Sequence, residues 1–327
     1  MRGAESGYAL LLAIVVVSVL AFSVLASAKI VGDVAASASR LRENADQLGA
    51  ENAATRVAFL LLTEDMDGRA LQMGDPARWD GASLALDGQL YAVADAAPLY
   101  VSVQDEAGLL NLNGDDQRAL ISLLVLGGAG EAAPALAARL ADYIDADDLV
   151  RDGGAEQAEY RRARMPAPGD QSMAVRWQAL EVLGWRAHRM DRRPVWDWLT
   201  TGPPGQGPNI NTAPQPVLEA LLDDRRLART IIQRREASPL TDLMELQGLI
   251  GEARSAQAQF SLLPGREFRV RAVLSSSNGL NGIERRLELG GEDAAQPFRW
   301  VEQRDLRLTP IRDDQAISAL SLATTAP

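Results

Sequence analysis

The chain has 327 residues, enough for two or three compact units, and a hydrophobic content of 47% that supports buried cores. It has no cysteine and one histidine, His188, which excludes disulfides, zinc–thiolate sites, iron–sulfur clusters, thiol nucleophiles and histidine-rich metal sites. A formal net charge of -11 argues against non-specific DNA binding, which depends on neutralising phosphates.

Residues 8–28 carry no charge, and roughly 20 such residues span a bilayer as a helix. Three readings compete here. One is a plain membrane anchor. The second is a cleaved secretory signal, for which Ala26-Ser27-Ala28 supplies small residues but the apolar run is long. The third is a pilin-type leader, cut before the apolar run, so that the run stays in the mature chain. An amphipathic pattern follows. Val34, Leu41 and Leu48 recur every seven residues, and Val57, Leu60 and Leu61 come later, which predicts a helix with one apolar stripe. There is no proline from Tyr8 to Glu64, so a continuous helix would run about 85 Å at 1.5 Å per residue. A membrane anchor followed by a separate coiled-coil stalk is the alternative.

The period then changes. Leu84, Leu86, Leu90 and Tyr91 surround Asp87-Gly88, a hairpin signal, and Leu99, Val101 and Val103 alternate as a strand. From Leu109 to Pro264 the spacing is helical, with helices predicted over 115–126, 132–143, 174–183, 214–222, 227–235 and 240–247. A proline- and glycine-rich stretch at 202–208 reads as a linker within this block. Strand alternation returns at Phe268, Val270, Ala272 and Leu274, with Arg269 and Arg271 pointing the other way. A turn follows at Ser277-Asn278-Gly279, then strands at Ile283–Leu289 and 298–301, and a tail at 309–327 that should fray. The economical arrangement is α+β: one antiparallel sheet packed on the long N-terminal helix, with an all-α insertion between its strands.

The motifs within this layout resemble those of the type II secretion system minor pseudopilin K family (general secretion pathway protein K). Asp105-Glu106-Ala107-Gly108-Leu109-Leu110-Asn111-Leu112-Asn113 resembles its entry into the helical domain. Asp142-Tyr143-Ile144-Asp145-Ala146-Asp147 resembles its D-W-I-D-x-D, with tyrosine for tryptophan, and Gly153-Gly154-Ala155-Glu156-Gln157-Ala158-Glu159-Tyr160 resembles its G-A-E-x-x-Y. Asn209-Ile210-Asn211-Thr212-Ala213 resembles its N-x-N-T-A.

The resemblance implies a pilin-like fold with a helix-hairpin-helix or SAM-like insertion. It divides the chain into a leader (1–7), the long helix (8–65, membrane half 8–28), the first part of a β domain (66–108), the insertion (109–265), the second part of the β domain (266–308) and the tail (309–327). It implies cleavage between Gly7 and Tyr8 by the prepilin peptidase, methylation of Tyr8, and no catalytic site. The fifth mature position is then Leu12, where other pilin-like proteins carry a glutamate, and its absence fits a subunit with nothing ahead of it. The implied place is the inner membrane, with a periplasmic body that moves to the pseudopilus tip. The implied partners are the minor pseudopilins I and J, extending to H, the major pseudopilin and the inner-membrane platform. The expected helix interface is Val34, Leu41, Leu48 and Val57.

Acidic residues crowd at 142–156, and hard cations want six to eight oxygens. Asp145, Asp147 and Glu156 match three EF-hand positions, but Leu149 and Val150 break the pattern. A loop-built calcium site remains, with Asp145, Asp147, Asp148 and Glu156 as expected ligands, as the resemblance implies; a solvated acidic loop is the alternative. Residues 210–246 also resemble a helix-hairpin-helix module, so a membrane-anchored DNA receptor is the rival function. Its first hairpin reads Asp223-Asp224-Arg225-Arg226, with no glycine, and the segment lacks the basic excess of a DNA binder. No nucleic acid is expected. His188 lies among arginines without a nucleophile motif, and Trp177, Trp185, Trp196 and Trp198 read as core or interface anchors.

Overall fold

A computed structural model describes residues 4–72, 83–93, 99–202, 207–251, 260–276, 279–290, 296–308 and 318–320. The chain forms two compact units, Met1–Ala50 and Glu51–Pro327. Helix α1 runs Ala4–Thr63, and no proline interrupts it. The hydroxyls of Ser18, Ser23 and Ser37 bond back to the carbonyls of Ile14, Val19 and Asp33, which satisfies them without water. From Leu12 onward the apolar side chains of this stretch stand exposed, and it is long and apolar enough to cross a membrane.

The second unit starts with the last turns of α1. In chain order come β1 (Ala70–Gln72), β2 (Ser83–Ala85), β3 (Asp87–Val93), β4 (Leu99–Asp105) and β5 (Leu110–Asn111). Helices α2 (Gln117–Leu126), α3 (Ala133–Ile144) and α4 (Gln157–Ala163) follow, then β6 (Leu199–Thr200), α5 (Gln215–Leu222), α6 (Arg225–Ala237) and α7 (Leu243–Ile250). Strands β7 (Glu267–Ser276), β8 (Gly279–Leu289), β9 (Phe298–Leu308) and β10 (Ser318–Leu320) close the chain. The main sheet has the order β10-β3-β4-β7-β8-β9. Strand β4 pairs antiparallel with β7, from Leu99↔Leu274 to Asp105↔Phe268. The intervening helical block is therefore an insertion between neighbouring strands.

Both faces of the sheet are covered. On one, Phe268, Val270, Ala272, Ile283 and Leu287 are buried, and α1 lies across it. Phe59 meets Phe298 edge to face at 6.0 Å, and Glu51 pairs with Arg285 at 3.6 Å. The helix turns Ala53, Ala54, Val57, Ala58 and Leu61 inward; small residues allow the close approach. The insertion has its own apolar core, built on Leu123, Leu124, Leu136, Tyr160, Trp185 and Trp196. Trp177 packs on Trp196 at 5.0 Å, so two of the four tryptophans of the block are fully buried anchors and a third stacks on one.

Several expectations change. The pattern at 174–183 does not make an α-helix; it forms a short 3-10 segment, Arg176–Glu181. Helix α4 was hidden in an acidic, arginine-rich stretch with no apolar stripe. Asp87-Gly88 does not close a hairpin: β2 pairs with β1, β3 pairs with β4, and Gly88 (φ 82°) turns the chain from one ladder to the next. Within the tail, Ser318–Leu320 pairs in parallel with β3. Ser277, Asn278 and the centre of the 202–208 linker lie outside the described residues.

Candidate functional site

The motif residues converge at the neck of the insertion. Asp105 ends β4 and is fully buried. Its carboxylate accepts the Asn209 amide at 2.9 Å, the Thr212 hydroxyl at 2.9 Å, and the N–H groups of Ala107 (3.0 Å) and Gly265 (3.1 Å). Burial pushes its pKa up, and those four donors pull it back. One side chain thus ties the entry strand, the middle of the insertion and its exit. Asn211 donates to Leu240 and Leu262 carbonyls and accepts from Leu240 N–H. Asn113 exchanges bonds with Met173, and Asn111 donates to the Gly202 carbonyl. Gly108 is required: a Cβ there would lie 2.6 Å from the Thr212 hydroxyl and 2.8 Å from its backbone carbon. These motifs read as chemistry in the sequence; in the fold they are fasteners.

Beside the neck lies a feature that sequence reasoning missed. Arg269 and Arg271, expected to point away from the core, are covered by the insertion. Arg269 binds Glu106 at 2.7 Å and the carbonyls of Asp197 and Leu199. Glu284 receives Arg176, Arg271 and Arg304, each at 2.7 Å. Arg286 reaches Thr201, the Ala174 carbonyl, Glu267 and Glu302. Asp197 joins Arg271 and Arg304. Arg176, Arg269, Arg271, Arg286 and Arg304 balance Glu106, Asp197, Glu267, Glu284 and Glu302, so the interface carries no net charge. Burial raises the Glu284 pKa, but Arg271, Arg269, Arg176 and Arg304 outweigh it and hold the carboxyl well below the usual range.

The acidic loop is built differently from the expected ligand set. Asp142 is buried and accepts N–H from Arg151 and Ala155, at 3.2 and 2.8 Å. The Arg151 guanidinium bridges Asp142 and Asp145. Gly154 must be glycine, since a Cβ would fall 2.0 Å from an Asp142 oxygen. Asp147 accepts from the Leu149 N–H, and Asp148 is exposed. Among the described residues, no three acidic or histidine side chains stand close enough together to hold a metal. Glu156, however, is 96% buried (4% exposed), and neither of its carboxylate oxygens has a hydrogen-bond partner. Burial, then Asp142, Asp145, Asp170 and Asp148, pushes its pKa up to about 7. One Asp145 oxygen is equally without a partner. The sequence reading included Glu156 and Asp145 but not Asp170, which arrives from the loop after α4.

On α1, Val34, Leu41 and Leu48 are exposed, whereas Val57 is fully buried inside the second unit. Val57 therefore leaves the expected partner interface, because the chain's own body covers it. Leu12 is exposed; Gly7 and Tyr8 lie within α1. The helix-hairpin-helix segment offers no phosphate grip. Asp224 caps α6 by accepting from Arg226 and Leu227, and Asp242 caps α7 through Met244, so carboxylates occupy the amides that a phosphate would need.

A long N-terminal helix, apolar and exposed at first and then packed on an antiparallel sheet, defines a pilin-like protein, here with a helical insertion. Family models of type II secretion system protein K match residues 102–193 and 208–262, which span the neck, the acidic loop and the N-x-N-T-A motif. These matches support a type II secretion system minor pseudopilin of the protein K family. Its fold is similar to a chain in the crystal structure of the GspK-GspI-GspJ complex from the enterotoxigenic Escherichia coli type 2 secretion system. The two share 19% identity at a TM-score of 0.53, over 83% of this chain and 99% of that one. No curated protein matches the chain.

Proposed function

We propose that this minor pseudopilin sits at the tip of the type II secretion pseudopilus and helps initiate its assembly, without enzymatic activity of its own. The observation that carries the reading is on α1. Leu12 is apolar at the fifth position after Gly7, where a carboxylate in lipid would need a partner ahead of it. Val34, Leu41 and Leu48 leave an apolar face uncovered along the helix. The large insertion adds bulk that a packed shaft would not accommodate. The related complex named above joins GspK with GspI and GspJ, which supports I- and J-type pseudopilins as partners. The apolar half of α1 anchors the chain in the inner membrane, with the body in the periplasm, and the prepilin peptidase cuts between Gly7 and Tyr8. H-type and major pseudopilins and the membrane platform are the further contacts of this reading.

Calcium binding is part of the proposal. The donor chemistry that fits is the orphaned Glu156 carboxylate beside Asp145 and Asp142, with Asp170 and Asp148 near enough to raise its pKa. Asp147, turned to cap Leu149, is left out. A bound cation would neutralise this cluster in place of Arg151, a structural role only.

Co-purification tests the reading. Leu41→Glu with Leu48→Glu should abolish recovery of the I- and J-type subunits with the full chain. Unchanged recovery would contradict it.

A further inference from the structure

We infer that Arg151 is a built-in competitor of calcium: its guanidinium closes the acidic loop when the cation is absent and has to leave for the cation to bind, so this one side chain sets the calcium affinity of the loop. This rests on the calcium proposal above and deepens it. A single guanidinium nitrogen, Nη1, bonds an Asp142 oxygen at 2.6 Å and an Asp145 oxygen as well. A positive nitrogen thus stands at the point that two carboxylates share. The backbone N–H of Arg151 donates separately to the other Asp142 oxygen at 3.2 Å.

As a counter-ion Arg151 is incomplete. It carries one charge, and it serves Asp142 and one oxygen of Asp145. The second Asp145 oxygen and both oxygens of the buried Glu156 stay without a donor. Those three oxygens, with the two that Arg151 holds, suit a hard dication whose shell carbonyls or water would complete. Arginine and dication cannot share them, because both need the same Asp142 and Asp145 oxygens and their charges repel. Release of the arginine is cheap. Its side chain is 45% exposed, and these two carboxylates are the only partners of its guanidinium among the described residues. Asp142 would keep the N–H groups of Arg151 and Ala155, so the loop backbone need not move.

The test is calorimetric titration of calcium chloride into the chelator-stripped full chain in mild detergent. A competitor in place nine-tenths of the time lowers apparent affinity about tenfold, so Arg151→Gln is expected to bind calcium about tenfold more tightly than wild type. The same variant should lose more Tm on chelation than wild type, which falls back on its arginine, and should match wild type in calcium. Arg139→Gln is the control for charge alone. Arg139 donates to the Gly153 and Leu183 carbonyls and touches neither aspartate, so its removal should change affinity far less. A readout on the unmutated chain does not depend on how a variant folds: phenylglyoxal labelling of Arg151, mapped by peptide mass spectrometry, should rise severalfold when calcium is added. If wild type binds calcium but Arg151→Gln binds no more tightly, or Arg151 labelling stays unchanged, the inference is overturned and the calcium reading stands. An equal gain in Arg139→Gln would also overturn it. If neither wild type nor Arg151→Gln binds calcium, the underlying reading fails as well.

Discussion

Asp105 accepts four hydrogen bonds, which uses every lone pair of an ionised carboxylate. Asparagine is nearly the same size but would turn an amide donor toward those donors. Asp105→Asn should therefore destabilise the chain by about 3 kcal/mol, read by chemical unfolding of the detergent-solubilised protein. Glu156 makes the opposite kind of site, a buried carboxylate without a donor. Its pKa is raised from 4.5 to about 7 in the fold, so the folded chain holds a proton that the unfolded chain has released. Without calcium, stability should fall as pH rises from about 4.5 to about 7 and level off above. Glu156→Gln should remove that slope, and chelator should lower the Tm of wild type but not of the variant. A chelator-insensitive wild type would count against the calcium proposal.

At the scale of elements, the long helix, the insertion between strands and most helices of the block were legible, because apolar period reports which face is buried. The neck was legible only as motifs, since Asp105, Asn209 and Gly265 meet across more than a hundred residues of chain. The sheet's second face was misread. Alternating Arg269, Arg271, Glu284 and Arg286 look like a solvent face, and nothing local shows that ion pairs from Arg176, Asp197 and Glu302 cover it. The same blindness applied to Val57, which is apolar in either role. A buried network of this kind contributes specificity of docking more than net stability, but removing one member leaves charges stranded. Glu284→Ala, which strands three arginines, should cost about 3–5 kcal/mol in equilibrium unfolding. Because the Glu284 carboxyl is held well below the ordinary range, its contribution is present above that range and is lost progressively as pH falls through it.

For the whole molecule, the neck and the ion network join the insertion to the sheet, so the body of the second unit is one fastened piece. Force applied through such a piece is passed on by packed elements and buried pairs and not by a flexible linker. The central claim, that this is a pilin-type subunit with a processed anchor, is tested most directly by intact mass spectrometry of the membrane-extracted protein. The account predicts a mature chain beginning at Tyr8, with or without an added methyl group. A chain beginning at Met1 would mean a fixed anchor, and one beginning at Lys29 a secreted body; either would contradict it.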